Sequence, residues 1–299
     1  MRFGLVGTGP WATAVHGPGL RASTTATLEG VWGRDPDKTR AVAAALEVRP
    51  YADLDELFDG VDAVAFAVPP HVQAELALRA AGAGKHLLLD KPVATDVAAV
   101  GALATAATEH QVASVVFFTD RFSEARAAWL EDARRTGGWR GGSVRWLASL
   151  AEPGQGYDKS PWRHERGALW DIGPHALSSM VAVLGPVERL VAVGGQEDLV
   201  HLVLTHRSGA TSTATLAIFS PAAAETQEVW LWGDNGTTTM PGETGAGVPA
   251  ALARAADALV RSATTGEPHP ADLRLGVTVV ELLAEAERQL GSPLSNLRP

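Results

Sequence analysis

The chain of 299 residues contains no cysteine, which excludes disulfide bonds, thiolate catalysis and cysteine-ligated metals. It also lacks a His-Glu-x-x-His motif, so we expect no metal site. The apolar segment of residues 61–70 is far too short to span a bilayer. The first residues, MRFGLVGTG, are typical of a strand followed by glycines and not of a secretion signal. We therefore expect a cytoplasmic protein without a membrane partner.

Positive charge is also in short supply. The formal net charge is −9 and the pI is near 5.5. An acidic chain has no electrostatic attraction for the phosphates of nucleic acid or for an anionic membrane. We expect a small-molecule substrate and no nucleic-acid partner.

Lysine is the rarer of the two basic residues, with four lysines against 21 arginines. A chain that uses arginine wherever a plain positive charge suffices keeps lysine where an amine is needed, because an amine can titrate and a guanidinium cannot. The four lysines are Lys38, Lys85, Lys91 and Lys159.

The pattern of apolar residues changes once along the chain. Up to about residue 118, short apolar strands alternate with helical patterns, which predicts a parallel sheet with helices on both faces. From residue 119, several strand-like runs follow one another through short loops, which is typical of a mostly antiparallel sheet. We therefore predict an α/β protein with two domains, residues 1–118 and residues 119–299. The second is predicted to be an α+β domain with an open sheet.

A glycine-rich loop of the pattern G-x-G-x-x-A follows the first strand and opens the first helix. In such loops the first glycine allows a tight turn, and the second lets the backbone approach a pyrophosphate at the helix N-terminus. This position after the first strand predicts a doubly wound Rossmann domain that binds a dinucleotide. The six cofactor-binding residues expected in the loop are Gly7, Thr8, Gly9, Pro10, Trp11 and Ala12.

The end of the second predicted strand bears on the choice of dinucleotide. Gly33 occupies the position where an acid usually binds the adenosine ribose, and Arg34 follows it. A missing carboxylate removes repulsion from a 2′-phosphate, and a guanidinium can bind that phosphate, which favours NADP(H) over NAD(H). The alternative is that Arg34 is a solvated turn residue and Asp35 binds the ribose.

A lysine motif follows at the next strand ends. Val68 and Pro69 end a buried strand on the side where doubly wound sheets bind ligands. The segment AGAGKHLLLDKP, residues 81–92, then contains Asp90 and Lys91. We expect all four of these residues to contact the cofactor.

At this point the chain resembles the Gfo/Idh/MocA family of glucose–fructose oxidoreductase, inositol dehydrogenase and rhizopine-catabolism proteins, which shows A-G-K-H-V-x-x-E-K-P here. Asp90 replaces the usual Glu, and the family's catalytic lysine falls on Lys91. The segment GALWDIGPH, residues 167–175, resembles the family's G-G-x-L-x-D-x-G-x-H. Further matches are Arg121-Phe122, Trp162-Arg163 and Pro270-Ala271-Asp272.

The resemblance implies a catalytic set of Lys91, Asp171 and His175. A lysine ammonium can protonate or polarise a carbonyl oxygen during hydride transfer. Asp171 and His175 are four residues apart, so on one helical turn they share a face. Asp171 is then expected to hold a substrate hydroxyl, His175 to act as acid or base, and Trp162 and Arg163 to contact the substrate.

Simpler interpretations of these residues stay open. Lys91 can be a surface residue before a helix, and His175 can be a core histidine that satisfies a hydrogen bond. Gln73 stands where many members have His, and Ser178 where Asp often occurs, so substrate identity does not transfer. We expect the remaining histidines, including His16, to be structural or surface residues.

The resemblance implies an NADP(H)-dependent oxidoreductase acting on a hydroxyl or keto carbon of a sugar, cyclitol or related compound. It also implies a homo-oligomer, dimer or tetramer, with the open sheet face as the contact surface. Two alternatives remain: a dinucleotide-binding regulatory sensor without turnover, and a redox-neutral glycosidase that uses hydride transiently.

Overall fold

The computed structural model describes residues 1–150, 161–242 and 247–291. These residues form two compact units, one of residues 1–124 and 247–280 and the other of the described residues between 125 and 242 together with 281–291. The predicted division into residues 1–118 and 119–299 is linear along the chain. The first compact unit, by contrast, also contains residues 247–280.

The first unit begins with alternating strands and helices. The elements are, in chain order, β1 (Arg2–Val6), a π-helical turn (Ala12–His16), α1 (Gly17–Ala22), β2 (Thr27–Trp32), α2 (Pro36–Leu46), β3 (Arg49–Tyr51), α3 (Leu54–Gly60), β4 (Ala63–Phe66), α4 (Pro70–Gly82), β5 (His86–Asp90), α5 (Val97–Glu109), β6 (Ser114–Phe117) and a short 3₁₀ helix (Thr119–Arg121).

The six strands of this unit form one parallel sheet in the order β3-β2-β1-β4-β5-β6. Every residue of β4 is buried, as expected of a strand that is covered on both faces. The strand order reverses direction between β1 and β4, and doubly wound sheets bind ligands at the carboxyl ends of the strands at such a point. The predicted Rossmann sheet is confirmed.

The second unit follows with a sheet and helices of its own. Its elements, with α6 beginning at the boundary, are α6 (Glu124–Thr136), β7 (Trp139–Leu147), α7 (Pro161–Asp171), α8 (Gly173–Leu184), β8 (Val187–Gly194), β9 (Val200–His206), β10 (Thr211–Ala217), a 3₁₀ turn (Ala222–Ala224), β11 (Thr226–Gly233) and β12 (Gly236–Thr239).

The second sheet has the order β12-β11-β7-β10-β9-β8. Within this second sheet, as far as the structure describes it, only the β7–β10 pair is parallel, so the predicted mostly antiparallel sheet is confirmed. Burial alternates along β9, with Leu202 and Leu204 buried and His201 and Val203 exposed. Helices α7 and α8 pack against β7 and β10, so one face of the sheet is covered.

Two long helices complete the described chain, α9 (Gly247–Thr265) and α10 (Leu273–Leu290). α9 packs against α1 and β6 within the first unit. The Asp257 carboxylate of α9 accepts hydrogen bonds from the Ser23 hydroxyl at 2.6 Å and from the Thr25 amide at 3.1 Å. These contacts explain why residues so late in the chain join the first unit. No helix in the described ranges is both long and apolar enough to cross a membrane.

Candidate active site

The glycine loop passes close to the end of β4. Gly7 has φ of +132°, and a Cβ placed on it would lie 2.4 Å from the Ala67 carbonyl oxygen. The Gly7 amide donates to the Trp32 carbonyl at 2.9 Å, so the loop is tied to the end of β2 as well. A side chain at this position would force the two strand ends apart, and only glycine satisfies the conformation.

Gly9 differs from Gly7 in having free space. In the part of the chain that the structure describes, no atom lies within 4 Å of a Cβ placed on Gly9. The Thr13 amide donates to the Gly9 carbonyl at 3.2 Å, which begins the following helix directly at the loop. The open backbone at a helix N-terminus fits a pyrophosphate, so the loop fits the predicted dinucleotide.

The structure explains the glycine at position 33. A Cβ on Gly33 would lie 2.6 Å from Thr8 Cγ2 and 3.1 Å from Thr39 Oγ1. Thr8 therefore occupies the space that the side chain of an acid would need. Arg34 is exposed, and its guanidinium has no ion-pair partner among the described residues.

Asp35 is committed to a different role. Its carboxylate caps α2, accepting the amides of Asp37 at 3.0 Å and Lys38 at 3.2 Å. These bonds, the Lys38 amide first, hold the pKa of Asp35 below its ordinary value. A carboxylate that already satisfies a helix N-terminus is poorly placed to bind a ribose as well.

Asp90, the last residue of β5, connects the glycine loop to the lysine motif. Its Oδ2 accepts a hydrogen bond from Trp11 Nε1 at 2.6 Å and lies 3.1 Å from His16 Nε2. Its Oδ1 accepts the Lys91 amide at 2.7 Å. The Asp90 side chain is only 13% exposed and that of His16 is fully buried. The Asp90 carboxylate thus connects two other predicted cofactor-binding residues, Trp11 and Lys91, with a histidine that was expected to be a structural or surface residue.

Gln73 holds the same segment from its main-chain side. Its Nε2 donates to the carbonyls of Asp90 at 2.9 Å and Val93 at 3.0 Å, and its Oε1 accepts the Asp90 amide at 2.8 Å. Gln73 is fully buried, and the Lys91–Pro92 peptide between these contacts is cis. Lys91 itself is partly exposed.

Val68 and Pro69 lie where the sequence places them, directly after β4. Val68 is partly exposed, and Pro69 is exposed and precedes the first turn of α4. Since β1, β2, β4 and β5 are parallel strands of one sheet, the predicted cofactor-binding residues all lie at or after the carboxyl ends of these strands. The contact of each with a cofactor remains a prediction.

In the second unit, the predicted substrate residues form a partly buried ion pair. Arg163 Nε donates to Asp171 Oδ2 at 2.9 Å, with side chains 22% and 4% exposed. The Arg163 guanidinium also lies over the Trp162 ring, 4.8 Å from its centroid. A charge-assisted hydrogen bond of this kind holds the buried carboxylate in a fixed orientation.

His175 is buried in the first turn of α8, four residues after Asp171, the last residue of α7. α7 itself is kinked at Gly167. Its ring contacts that of Trp146 on β7, with centroids 5.4 Å apart. The single helical turn expected to carry Asp171 and His175 is therefore a junction between two helices, capped by Ile172. Their joint role in catalysis remains a prediction.

Two contacts of the site were missing from the sequence-based set. His16 lies on Asp90, and Trp146 lies on His175. Trp146 carries no local signal because the contact joins a strand to a helix 29 residues later in the chain. Among the described residues, no group of three or more His, Asp or Glu side chains is arranged to hold a metal ion.

Known proteins with similar sequences are oxidoreductases. The chain is 30% identical over 201 residues to an uncharacterized oxidoreductase of Synechocystis, covering 63% of this chain and 52% of the relative. It is 28% identical over 251 residues to dTDP-3,4-didehydro-2,6-dideoxy-alpha-D-glucose 3-reductase of Streptomyces violaceoruber, covering 80% and 72%. The chain spans about half or less of the length of the first curated relatives that it matches.

The fold has close counterparts among solved structures. UDP-N-acetylglucosamine 3-dehydrogenase of Acidithiobacillus ferrooxidans superposes with a TM-score of 0.82 at 19% identity, covering 97% of each chain. Residues 1–118 match the model of the oxidoreductase family with an NAD-binding Rossmann fold. Residues 125–239 match the model of the Gfo/Idh/MocA C-terminal domain. Together the two models match most of the chain, which belongs to the Gfo/Idh/MocA oxidoreductase family.

Proposed function

We propose that this protein is an NADP(H)-dependent oxidoreductase that transfers hydride between the nicotinamide and a hydroxyl or keto carbon of a sugar, cyclitol or related compound. The observation that carries the proposal is the link from the glycine loop through Asp90 to Lys91, because both contacts of the Asp90 carboxylate lie at the carboxyl ends of the parallel strands, where doubly wound sheets bind ligands. Membership of an oxidoreductase family supports the reaction type. The name of the Streptomyces relative, a reductase of a deoxysugar, supports the substrate class.

The bound dinucleotide would supply a hydride acceptor or donor at C4 of its nicotinamide. In the oxidative direction the carbinol carbon loses hydride and its hydroxyl loses a proton, which Lys91 or His175 accepts. In the reductive direction the same group returns a proton to the carbonyl oxygen. We assign Asp171, oriented by Arg163, to a substrate hydroxyl, and Trp162 and Arg163 to the substrate side.

The preference for NADP(H) is supported by three features of the loop after β2. Thr8 fills the space beside Gly33, Asp35 is committed to capping α2, and Arg34 is exposed without an ion-pair partner in the described chain. An acid that binds the ribose is thus replaced by a guanidinium that is able to bind a 2′-phosphate. An NADP(H) preference in turn favours reduction as the physiological direction.

Replacement of Lys91 tests the enzymatic proposal. We expect Lys91→Ala to lower kcat by roughly 10²- to 10⁴-fold, since it removes a positioned acid or base, while NADPH affinity stays nearly constant. The measurement is nicotinamide absorbance against a panel of sugars, cyclitols and keto-sugars, with Kd from NADPH fluorescence. Lys85→Ala is the matched control, because Lys85 Nζ donates to the Val61 carbonyl at the other end of β5.

The outcomes separate the alternatives. Unchanged turnover in Lys91→Ala would refute the catalytic assignment. Tight NADPH binding by the wild type without turnover of any compound would favour the regulatory sensor. Release of a sugar from a glycoside without net change in nicotinamide absorbance would favour the redox-neutral glycosidase.

Replacement of Arg34 tests the cofactor assignment. We expect Arg34→Ala to weaken NADPH binding by roughly 10- to 100-fold and NADH binding little, since the guanidinium contacts only the 2′-phosphate. Arg40→Ala, which removes another exposed arginine of the same region that pairs with Asp37, is the control. An equal loss for both dinucleotides would contradict the assignment.

A homo-oligomer built on the open face of the second sheet belongs to the same proposal. That face exposes Val191, Val193, Val203 and Trp230, which are large apolar side chains at 38–48% exposure. The three valines lie together on the adjacent strands β8 and β9, and Trp230 lies on β11. Neighbouring apolar side chains exposed on a strand face are typical of a surface covered by another copy. A sedimentation velocity experiment at micromolar concentration that shows only monomer would refute the homo-oligomer.

A cytoplasmic location stays a prediction from the sequence.

A further inference from the structure

His16 carries a buried imidazole in the first unit that the proposed reaction does not use. Its side chain is fully buried, and its ring lies edge-on to Phe117, with centroids 6.1 Å apart. Nε2 lies 3.1 Å from Asp90 Oδ2, while Nδ1 has no hydrogen-bond partner in the part of the chain that the structure describes. An imidazole with half of its polar capacity unused is a poor core residue, because an apolar side chain would fill the space without loss. The contact with Asp90 is therefore the one feature that requires a histidine.

The local helix geometry explains how His16 and Trp11 reach one carboxylate. The turn Ala12–His16 is π-helical, and the Gly17 amide donates to the Ala12 carbonyl, five residues back. This bonding pattern places residues five apart above one another, whereas in an α-helix residues three and four apart are neighbours. Trp11 and His16 are five apart, and both contact Asp90 Oδ2.

The second oxygen of Asp90 carries the effect to the lysine. Asp90 Oδ1 accepts the Lys91 amide at 2.7 Å, so a carboxylate fixed through Oδ2 also fixes the main chain at Lys91. Gln73 holds the carbonyls on either side of that residue, those of Asp90 and Val93. The backbone from which the Lys91 amine projects is thus restrained by one carboxylate and one amide.

We propose that His16 is a positioning residue for Lys91, acting through its Nε2–H hydrogen bond to the Asp90 carboxylate. Because the oxygens of a carboxylate accept hydrogen bonds, the proposal places the hydrogen of this contact on Nε2. When the bond is lost, Trp11 is the one side-chain donor to Asp90 that remains among the described residues, and the carboxylate can rotate away from the Lys91 amide. The inference rests on the proposed function in taking Lys91 as the catalytic amine, and it assigns to His16 no contact with substrate or cofactor.

The test compares His16→Leu, which removes the donor, with His16→Gln, which keeps an N–H donor on a side chain of similar reach. We expect kcat to fall roughly ten- to a hundredfold in His16→Leu, the range expected of a misplaced catalytic group, with NADPH Kd nearly unchanged. In His16→Gln most of kcat returns. If His16 were merely structural, kcat would fall equally in the Leu and Gln variants. NADPH binding would then weaken together with kcat.

A second readout needs no substrate. The chain has only four lysines, so trace labelling of the folded protein with acetic anhydride, resolved by mass spectrometry, follows Lys91 against Lys38 and Lys85 as internal references. We expect the relative labelling rate of Lys91 to change in His16→Leu and to return in His16→Gln. His206→Leu is the matched control, since His206 is an equally buried histidine of the second unit. We expect the labelling rate of Lys91 to stay unchanged in this variant.

The two readouts separate failure of the inference from failure of the proposed function. An unchanged Lys91 labelling rate in His16→Leu, or equal changes in the Leu and Gln variants, overturns the positioning role. If the Lys91 labelling rate changes in His16→Leu while the wild-type protein turns over no substrate, the positioning role is upheld and the oxidoreductase assignment is refuted. Should His16→Leu not fold, Trp11→Phe removes the other donor to the same oxygen from a partly exposed position. Trp11→Phe is then expected to change the same rate, and no change there overturns the inference.

Discussion

The two units build their proposed functional positions in different ways. In the first unit, the positions are mainly properties of the backbone: a glycine with positive φ at the ends of the strands and an open helix N-terminus. In the second unit, they are side chains on helices that cover one face of a sheet, held by an ion pair and a ring contact. A site defined by backbone geometry restricts which residue types are allowed locally. A site defined by side-chain pairs restricts the residue types only at the positions that form the pairs.

The largest effect expected from this comparison is that of Gly7→Ala. The new Cβ would meet the Ala67 carbonyl oxygen at 2.4 Å, and φ of +132° disfavours any L side chain. We expect the free energy of unfolding to fall by roughly 2–4 kcal/mol, with loss of NADPH binding. The free energy of unfolding is measured by urea unfolding monitored by circular dichroism, and NADPH binding is measured by NADPH fluorescence.

Gly82→Ala is the matched control for this change, because in the described chain nothing lies within 4 Å of its Cβ. It is expected to keep stability and binding at wild-type values or slightly above. If both alanine variants behaved alike, the first unit would not depend on backbone geometry at Gly7, and the contrast between the units would fail.

The second unit is tested by Arg163→Met. This change removes a charged donor from the Asp171 carboxylate, which is 4% exposed, and keeps most of the volume of the side chain. We expect the free energy of unfolding to fall by roughly 1.5–3 kcal/mol, since the bond involves two charged groups away from water. The urea midpoint is the measurement.

Arg135→Met supplies the comparison, because Arg135 pairs with Asp132 at the surface with both side chains more than 60% exposed. Surface pairs contribute little, so its midpoint is expected to stay close to that of the wild type. Equal small effects at Arg163 and Arg135 would show that the second site does not depend on its ion pair.

The features that could be predicted from the sequence are those that depend on local patterns. The glycine loop, the parallel sheet and the position of Lys91 after β5 were predicted because each leaves a local pattern of glycines, alternation or motif spacing. The contact of His16 with Asp90 was not, since it joins residues 74 apart through a π-helical turn that no local pattern announces. The sequence also did not show why residue 33 is a glycine, because the space for a larger residue is occupied by the side chain of Thr8.

In the second unit the sequence indicated strands, but not which strands pair. The parallel contact of β7 with β10 joins segments about 70 residues apart, and the pairing decides which helices cover the sheet. The place of α9 in the first unit likewise depends on Asp257 meeting Ser23 and Thr25, more than 230 residues away. Such contacts depend on tertiary packing that a single sequence does not display.

The smallest predicted effect is a pH dependence of stability in the first unit. His269 stacks on Phe122 with centroids 5.2 Å apart, and its Nδ1 accepts the Ala271 amide at 3.0 Å. Burial, reinforced by Arg121 and Arg261, lowers the pKa of His269 from 6.5 to about 4.

The sign follows from proton linkage. Between pH 6.5 and about 4 the unfolded chain binds a proton at this histidine and the folded chain does not, so stability is present above 6.5 and is lost as pH falls through that window. The ring is partly exposed, so solvent screens part of this effect. We expect His269→Gln to reduce the loss of stability between pH 7 and pH 5 by about 1 kcal/mol. Urea midpoints at the two pH values measure it, and an identical pH dependence in the variant would contradict the assignment.

His206 lets the same measurement compare the two units. It is buried in the second unit between the Gly185 carbonyl and Ser212, and burial lowers its pKa as well. His206→Gln is therefore expected to reduce the pH dependence in the same direction. If the two units unfold in one transition, both variants shift the same midpoint. If they unfold separately, each variant shifts only the transition of its own unit, and the division into two compact units then extends from geometry to thermodynamics.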